Sequence, residues 1–480
     1  MILHIGRFIL VILEVLIIFN LLIVVHEIGH FLAARWRGLY IEKFGIWFGK
    51  PIWKKKINGV QYSLGTLPFG GFVALPQLAP MDLIEPKPEI DREALPPISA
   101  LDKIIVAIAG PLFSLLLAFA FAAVVWVVGY PVSESDMTTR IGYIMRESPA
   151  AKAGLQPGDK ILEVDGKRVT RFLGMNDSVS WAVVRSEGET IPVKFERDGK
   201  VQTVQVEPHK AESRGWFRRK SVRQLLILPA ETPIIGKVQP DSPAAAAGLQ
   251  PRDIVRGFNG QPIYNPVALL EYIKKHPDET LTLDIERGGS RSQLQVKPAP
   301  LPTEDEQGKK QLQPRIGIEW DTTTQMSIAH PSPLELVENS VTSTFSTLGA
   351  VASRKSDVGL QHLSGPFGIV RIYYLFLVSE RGWQLALWLS VVLNVNLAIL
   401  NMLPIPVLDG GHILFGVIES IRRKPLNMKL LEVVQGACTL LIIGLIAYIS
   451  FFDVQDWPWV KSVIDKYAPQ SQKAKNSDVP

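Results

Sequence analysis

Five residues near the start of the chain, His26-Glu27-Ile28-Gly29-His30, have the types and spacing for hydrolytic metal chemistry. On an α-helix, residues i and i+4 share one face, so both imidazoles can reach a single zinc ion while the intervening Glu27 reaches the water that the ion activates. Zinc brings the pKa of such a water to about 7, and the carboxylate can then take its proton as general base. Two histidines are one ligand short, because a catalytic zinc normally has three protein ligands and an open fourth position. The candidate third ligand is Asp409 in Leu408-Asp409-Gly410-Gly411-His412, where paired glycines let the backbone bend without side-chain obstruction. An Asp-Gly turn ending a helix is the plainer reading of Asp409; its place after an apolar segment, at the depth of the histidines, favours ligation. His412 can ligate or cap, and stays outside the ligand set.

Upstream of Asp409, Asn394, Asn396 and Asn401 interrupt an apolar run that Pro404 and Pro406 then break. Proline removes a backbone donor and frees carbonyls that must be buried in protein or face a water-filled cavity. Such a break serves a hydrolase that holds an unwound peptide, with Asn401 placed to bond the substrate backbone or steady the transition state. Asn394 and Asn396 fit interhelix hydrogen bonds better.

These groups must be positioned by apolar segments. Residues 8–25 hold only Glu14 and Asn20 as polar interruptions, and no small-residue cleavage site follows to mark a signal peptide. Stretches 8–30, 104–130, 383–403 and 430–452 are each apolar and long enough to span a bilayer. Arg35, Arg37, Lys43, Lys50 and Lys54-Lys55-Lys56 follow the first segment, and Arg422-Arg423-Lys424 and Lys429 precede the last, which places both loops in the cytoplasm. Alternating crossings then bring His26 and Asp409 to one side of the membrane. Glu14, deep in the first segment, either faces a water-filled vestibule or pairs with a neighbouring helix.

Composition agrees with a membrane protein carrying soluble modules. Of 480 residues 47% are hydrophobic, with a net charge of +5, more apolar than is usual for a soluble multidomain chain. The basic clusters lie beside apolar runs, so they report topology and give no nucleic-acid partner. The single cysteine, Cys438, excludes a disulfide framework and a cysteine-rich metal site.

The segment 147–159, ESPAAKAGLQPGD, recurs at 241–253 as DSPAAAAGLQPRD, so the insert between the second and third apolar segments holds tandem copies of one small domain. Each copy predicts a short helix stopped by glycine, a proline-containing turn, a strand, and then an Asp-Gly or Asn-Gly turn. This pattern resembles the PDZ domain in its bacterial, circularly permuted form. The resemblance implies capture of extended peptides, often at a C-terminal carboxylate, by strand addition. Arg315-Ile316-Gly317-Ile318 in the second copy fits the carboxylate loop, whereas Arg223-Gln224-Leu225-Leu226-Ile227 in the first lacks the glycine. A spacer role is the alternative for both copies. Leu334, Val337, Val341, Phe345 and Leu348 predict a helix that lies on the outer membrane surface or packs on the PDZ modules.

The pentad, Ala109-Gly110-Pro111 in the second segment, the PDZ pair and the run from Asn401 to Gly411, NMLPIPVLDGG, together resemble the bacterial site-2 intramembrane metalloprotease family of the regulator-of-sigma-E type. The resemblance covers nearly the whole chain. It implies one zinc ion on His26, His30 and Asp409, Glu27 as general base, and substrate contacts from Asn401, Pro404 and Pro406. Residues 62–73, which include Gly70, Gly71 and Phe72, resemble the family's membrane-dipping β-hairpin, which would receive unwound substrate as an added strand. Ser114 departs from the pattern, since relatives often have asparagine there.

The expected architecture is a polytopic α-helical membrane protein with about four transmembrane helices, a membrane-dipping β-hairpin and two inserted circularly permuted PDZ (α+β) domains. Its expected parts are an N-terminal membrane region 1–134, PDZ domains 135–230 and 231–322, an interfacial helical region 323–382, a C-terminal membrane region 383–467 and a disordered tail 468–480. The expected activity is intramembrane zinc endopeptidase in regulated intramembrane proteolysis. Its partners would be the lipid bilayer, single-pass membrane proteins (anti-sigma factors and remnant signal peptides), and peptide C-termini at the PDZ domains. The chain would lie in the bacterial inner membrane, active site near the cytoplasmic face and PDZ domains periplasmic. A non-catalytic PDZ receptor and a metal transporter or chaperone are the rivals; an intact Glu27 argues against both.

Overall fold

The computed structural model describes residues 2–78, 95–211, 219–304, 310–321, 326–424 and 426–455; the expected disordered tail at 468–480 lies outside them. Among the described residues, four helices are long and apolar enough to cross a membrane: Ile9–Trp36, Ala100–Val128, Gly382–Asn401 and Lys429–Gln455. The first belongs to helix α1 (Ile2–Trp36), which runs beyond the pentad because nothing in residues 31–36 breaks a helix, until Gly38 turns the chain at φ +72°. Helix α2 (Ala100–Val128) starts at a capping box in which Ser99 and Asp102 satisfy each other's backbone amides. Small residues let α1 and α2 touch closely: a Cβ on Gly29 would stand 2.4 Å from the Ala109 carbonyl oxygen.

Between these helices lies a four-stranded sheet of β1 (Lys43–Phe48), β2 (Trp53–Ile57), β3 (Val60–Leu64) and β4 (Leu67–Ala74), in the order β2-β3-β1-β4. The expected hairpin over 62–73 is therefore corrected: β3 and β4 are not neighbours, because β1 is inserted between them, parallel to β3 and antiparallel to β4. The chain crosses the end of β1 through Gly65, where a Cβ would lie 2.2 Å from the Phe48 carbonyl oxygen, so only glycine permits the crossing. The true hairpin is β2–β3, turned by Asn58 and Gly59, both at positive φ.

Beyond α2 come β5 (Tyr130–Val132), α3 (Glu134–Met137) and two modules that repeat each other. The first holds β6 (Ile141–Ile144), α4 (Pro149–Lys152), β7 (Lys160–Val164), β8 (Lys167–Arg168), α5 (Val179–Val184), β9 (Ile191–Arg197), β10 (Lys200–Val206) and β11 (Ile227–Pro229). The second holds β12 (Ile235–Val238), α6 (Pro243–Ala246), β13 (Ile254–Phe258), β14 (Gln261–Pro262), α7 (Pro266–Lys275), β15 (Leu281–Arg287) and β16 (Ser290–Val296). It ends with β17 (Ala299–Glu304), β18 (Lys310–Arg315) and β19 (Ile318–Trp320). The four-stranded sheets match, β10-β9-β7-β8 against β16-β15-β13-β14. So do the ion pairs of the buried Asp159 with Arg197 and the buried Asp253 with Arg287, each closing its module with a nitrogen–oxygen distance of 2.6 Å.

The insert returns to the membrane through β20 (Ser327–Ala329), which pairs with β5 and so clamps both ends of the insert at the top of α2. Helix α8 (Pro333–Ala352) then wedges between two partners. Its Leu336 and Val337 are buried with Ala118, Ala122 and Val125 of α2 and with Val391 and Val395 further along. Its Ser346 accepts hydrogen bonds from Trp181 and Arg185 of the first module. Helices α9 (Pro366–Val378), α10 (Gly382–Asn401), α11 (Asp409–Arg422) and α12 (Met428–Gln455) complete the membrane region.

Candidate active site

Helix periodicity puts His26 and His30 on the α1 face that meets α2, and α11 brings Asp409 to them from a distance of more than 370 residues of sequence. The three side chains are buried and converge: His26 Nε2 lies 3.2 Å from His30 Nε2 and 3.2 Å from Asp409 Oδ2, and His30 Nε2 lies 3.3 Å from Asp409 Oδ1. Each imidazole is oriented from behind. His30 Nδ1 donates to the Val106 carbonyl at 2.8 Å, and His26 Nδ1 lies 3.0 Å from Ser114 Oγ, which leaves both Nε2 atoms free to face inward.

The close packing of α2 and α11 around the donors depends on glycine. A Cβ on Gly110 would fall 2.2 Å from His30 Nε2, filling the space between the donors. One on Gly410 would meet the Met402 and Leu403 carbonyl oxygens at 2.3 Å, and one on Gly411 the Ile405 carbonyl oxygen at 2.2 Å. These contacts explain the Gly-Gly after Asp409: the first turn of α11 rests directly on the backbone of residues 402–406.

Asn401, at the end of α10, reaches the same point, its Nδ2 lying 3.3 Å from His26 Nε2. Pro404 is exposed and Pro406 half-buried, and Gln435 of α12 donates to the Pro406 carbonyl at 3.2 Å. Asn396 makes an interhelix bond, accepting from the Thr344 hydroxyl of α8. Asn394 instead donates back to Ser390 of its own helix. Glu14 makes no hydrogen bond or ion pair among the described residues.

On the other flank stands β4. A Cβ on Gly71 would lie 3.4 Å from Glu27 Cγ, and the Val73 backbone amide faces the Glu27 carboxylate. Gly70, at φ +84°, lies under the Phe48 ring, which stacks on buried Phe72 with ring centroids 6.2 Å apart. Glu27, His30, Asp409, Val73 and His412 line a narrow cavity of about 10 Å³, room for roughly one water.

The remaining expected site residues lie in the second module. Gly317, at φ +85°, separates β18 from β19; Ala244 at the start of α6 donates to the Ile316 carbonyl, and Gln239 to that of Gly317. In the first module Leu226 holds the matching left-handed conformation at φ +58°, and Met145 donates to its carbonyl. The loop geometry thus survives without glycine. Arg315 to Ile318 are remote in sequence from the metal-type cluster and take no part in it.

The described family profile for peptidase family M50 matches residues 14–445. The chain belongs to peptidase family M50. Its relatives include the regulator of sigma-E protease RseP of Escherichia coli K12, 28% identical with 90% of this chain and 96% of that one covered. RseP of Salmonella typhimurium strain 14028s is 29% identical, covering 91% and 97%. A Neisseria meningitidis protein that carries the name of a zinc metalloprotease is 29% identical over 86% of this chain and 92% of that one. Among solved structures, the PDZ domain of the SdrC-like protein from Listeria innocua is similar at 22% identity, covering 19% of this chain and 93% of that one, with a TM-score of 0.16.

As an M50 peptidase the chain is a metalloprotease, and its cofactor is zinc. The residues fit that ion. Donors 3.2–3.3 Å apart match the edge of a tetrahedron with bonds of about 2.0 Å. Two imidazoles and one carboxylate form a recognised catalytic donor set. When bound there, zinc polarises a carbonyl and makes water acidic. His26, His30 and Asp409 would hold it, the Val106 carbonyl would fix the His30 tautomer, Ser114 would orient the His26 ring, and Glu27 would carry the proton. The supporting contacts of Ser114, Gly110 and Gln435 were not legible as site features. Ser114 and Gly110 are four residues apart on α2, a spacing that marks a shared face but names no partner.

Proposed function

We propose that this M50 peptidase cleaves peptide bonds within the membrane-spanning segments of single-pass proteins, of the anti-sigma-factor and remnant-signal-peptide kind, in regulated intramembrane proteolysis. The observation that carries this reading is the place of the donors: His26 and His30 are on a helix apolar enough to span a bilayer, with α2, α10 and α11 packed around them. Glu27 takes a proton from the attacking water and returns it to the leaving amine, and the narrow cavity restricts bulk solvent.

A helical substrate must be unwound before its scissile bond is accessible. Among the described residues β4 pairs with β1 on one side only, so its other edge can receive the unwound segment as an added strand beside Glu27, at Gly70, Gly71 and Phe72. Asn401 and the Pro404–Pro406 turn grip it from the opposite flank. The sheet dips into the membrane from the cytoplasmic side, because exposed Lys54, Lys55 and Lys56 and the basic residues 422–424 belong in the cytoplasm. The modules then lie in the periplasm of a bacterial inner-membrane protein. They act as permuted PDZ domains that admit substrates already shortened by an earlier cut, with Arg315–Ile318 of the second module receiving the new C-terminus.

A tagged single-pass substrate, supplied intact or pre-trimmed outside the membrane, tests this when co-expressed with wild type and Glu27→Gln. The trimmed form should shorten with wild type alone. Identical product patterns from both enzymes would remove the mechanism, and equal cleavage of both substrate forms would remove the filter.

A further inference from the structure

Asn20 lies on α1 six residues before His26, about 9 Å deeper along the helix. Its amide makes three bonds. Nδ2 donates to the Leu16 carbonyl at 2.7 Å and to the Pro68 carbonyl at 3.1 Å, and Oδ1 accepts from the Trp47 indole at 2.7 Å. Pro68 and Trp47 belong to β4 and β1, so one side chain holds both strands. A carboxamide has both the N–H donors for the two carbonyls and the oxygen acceptor for the indole; leucine has neither.

The two strands meet there in an irregularity. Ile46 pairs with Gly71, but Phe48 pairs with Leu67, so three residues of β4 oppose Trp47 alone. Both sides of this bulge sit at positive φ, Trp47 at +69° and Gly70 at +84°. For glycine that is free, whereas for a bulky aromatic residue it is an outlier that surrounding contacts must hold in place. The Asn20 bond to the indole is such a contact. Beyond the bulge β4 regains its pairing at Gly71, the residue packed against Glu27. In a strand a shift of one residue reverses which groups face each side, so the bulge decides how the Gly71–Val73 edge is presented.

We propose that Asn20 is a positioning residue for the substrate strand: it locks the Trp47/Gly70 bulge against α1 and so sets the register in which an extended peptide backbone meets β4 beside Glu27. The inference rests on the strand-addition reading of the site. Nothing in it touches the metal donors.

The test uses the full chain in lipid vesicles with a single-pass substrate, reading kcat, KM, zinc content and, by mass spectrometry, the bonds cut. Asn20→Leu should raise KM and lower kcat/KM about tenfold, the scale of one buried hydrogen bond. It should also spread cleavage to bonds flanking the wild-type position, with zinc content unchanged. Trp47→Phe, which keeps a ring and loses the donor, should spread the cuts in the same way. Trp47→Gly relieves the backbone outlier, so adding Asn20→Leu to it should cost far less than Asn20→Leu alone. A single unshifted cut with wild-type KM in Asn20→Leu, multiplicative effects in the double variant, or loss of zinc would each overturn the assignment. Identical products from wild type and Glu27→Gln would instead overturn the hydrolase reading.

Discussion

At the scale of residues, the site is a small set of donors whose geometry is held by neighbours that do no chemistry themselves. Ser114 fixes His26 from behind. Ser114→Ala should therefore weaken zinc binding by about 10- to 100-fold while leaving the helices folded, as measured by metal competition with a chelator. Gly110→Ala should act more severely, since the added methyl would occupy the position between the imidazoles; zinc content after dialysis should fall to background. Asp409→Ala removes a donor outright and should do the same. Unchanged zinc stoichiometry and affinity in Asp409→Ala would remove Asp409 from the ligand set.

At the scale of elements, the repeated modules offer a prediction in pH. Burial of Asp253 works to raise its carboxyl pKa, but the Arg287 guanidinium and the Gln250 backbone amide bring it below the ordinary carboxylate range. A pKa lower in the folded state gives stability that is present above the unfolded value, about 3.9, and is lost as pH falls through the folded value. Asp253→Asn should cost about 1–3 kcal/mol at pH 7. The gap should close as the pH drops below about 4, as followed by thermal unfolding of the second module within the full chain. A gap that stays constant with pH would assign its origin to packing.

Much of this element plan was legible. The four spans follow from length and composition, and the modules from the 13-residue repeat. The sheet was not. Alternation and glycines mark strands in residues 43–74, but a period of two says nothing about which strands are neighbours, and insertion of β1 between β3 and β4 depends on Gly65 passing beneath Phe48. In the same way the left-handed loop of the first module survives on Leu226, a residue whose type does not announce it. Of the site, the proposed ligands and Asn401 stood out by type and by their place near a break in the chain; Ser114 and Asn20 were visible only as polar residues in apolar runs, which declares a need for a partner without naming one.

At the scale of the whole molecule, the account requires the basic sheet and the modules to face opposite sides of the membrane. In a Cys438→Ala background, Lys55→Cys should react with an impermeant maleimide only from the cytoplasmic side and Lys200→Cys only from the other; both positions are exposed. Labelling of both from one side would place the sheet and the modules on the same side of the membrane and remove the periplasmic filter. The central claim, that hydrolysis occurs within the bilayer at Glu27 beside a metal on His26, His30 and Asp409, is tested most directly with purified enzyme and a single-pass substrate in sealed vesicles. The masses of the products locate the cut. Wild type should cleave within the apolar segment, and Glu27→Gln should bind the same amount of zinc and leave the substrate whole. A cut confined to the segments outside the membrane, or equal cleavage by Glu27→Gln, would contradict the account.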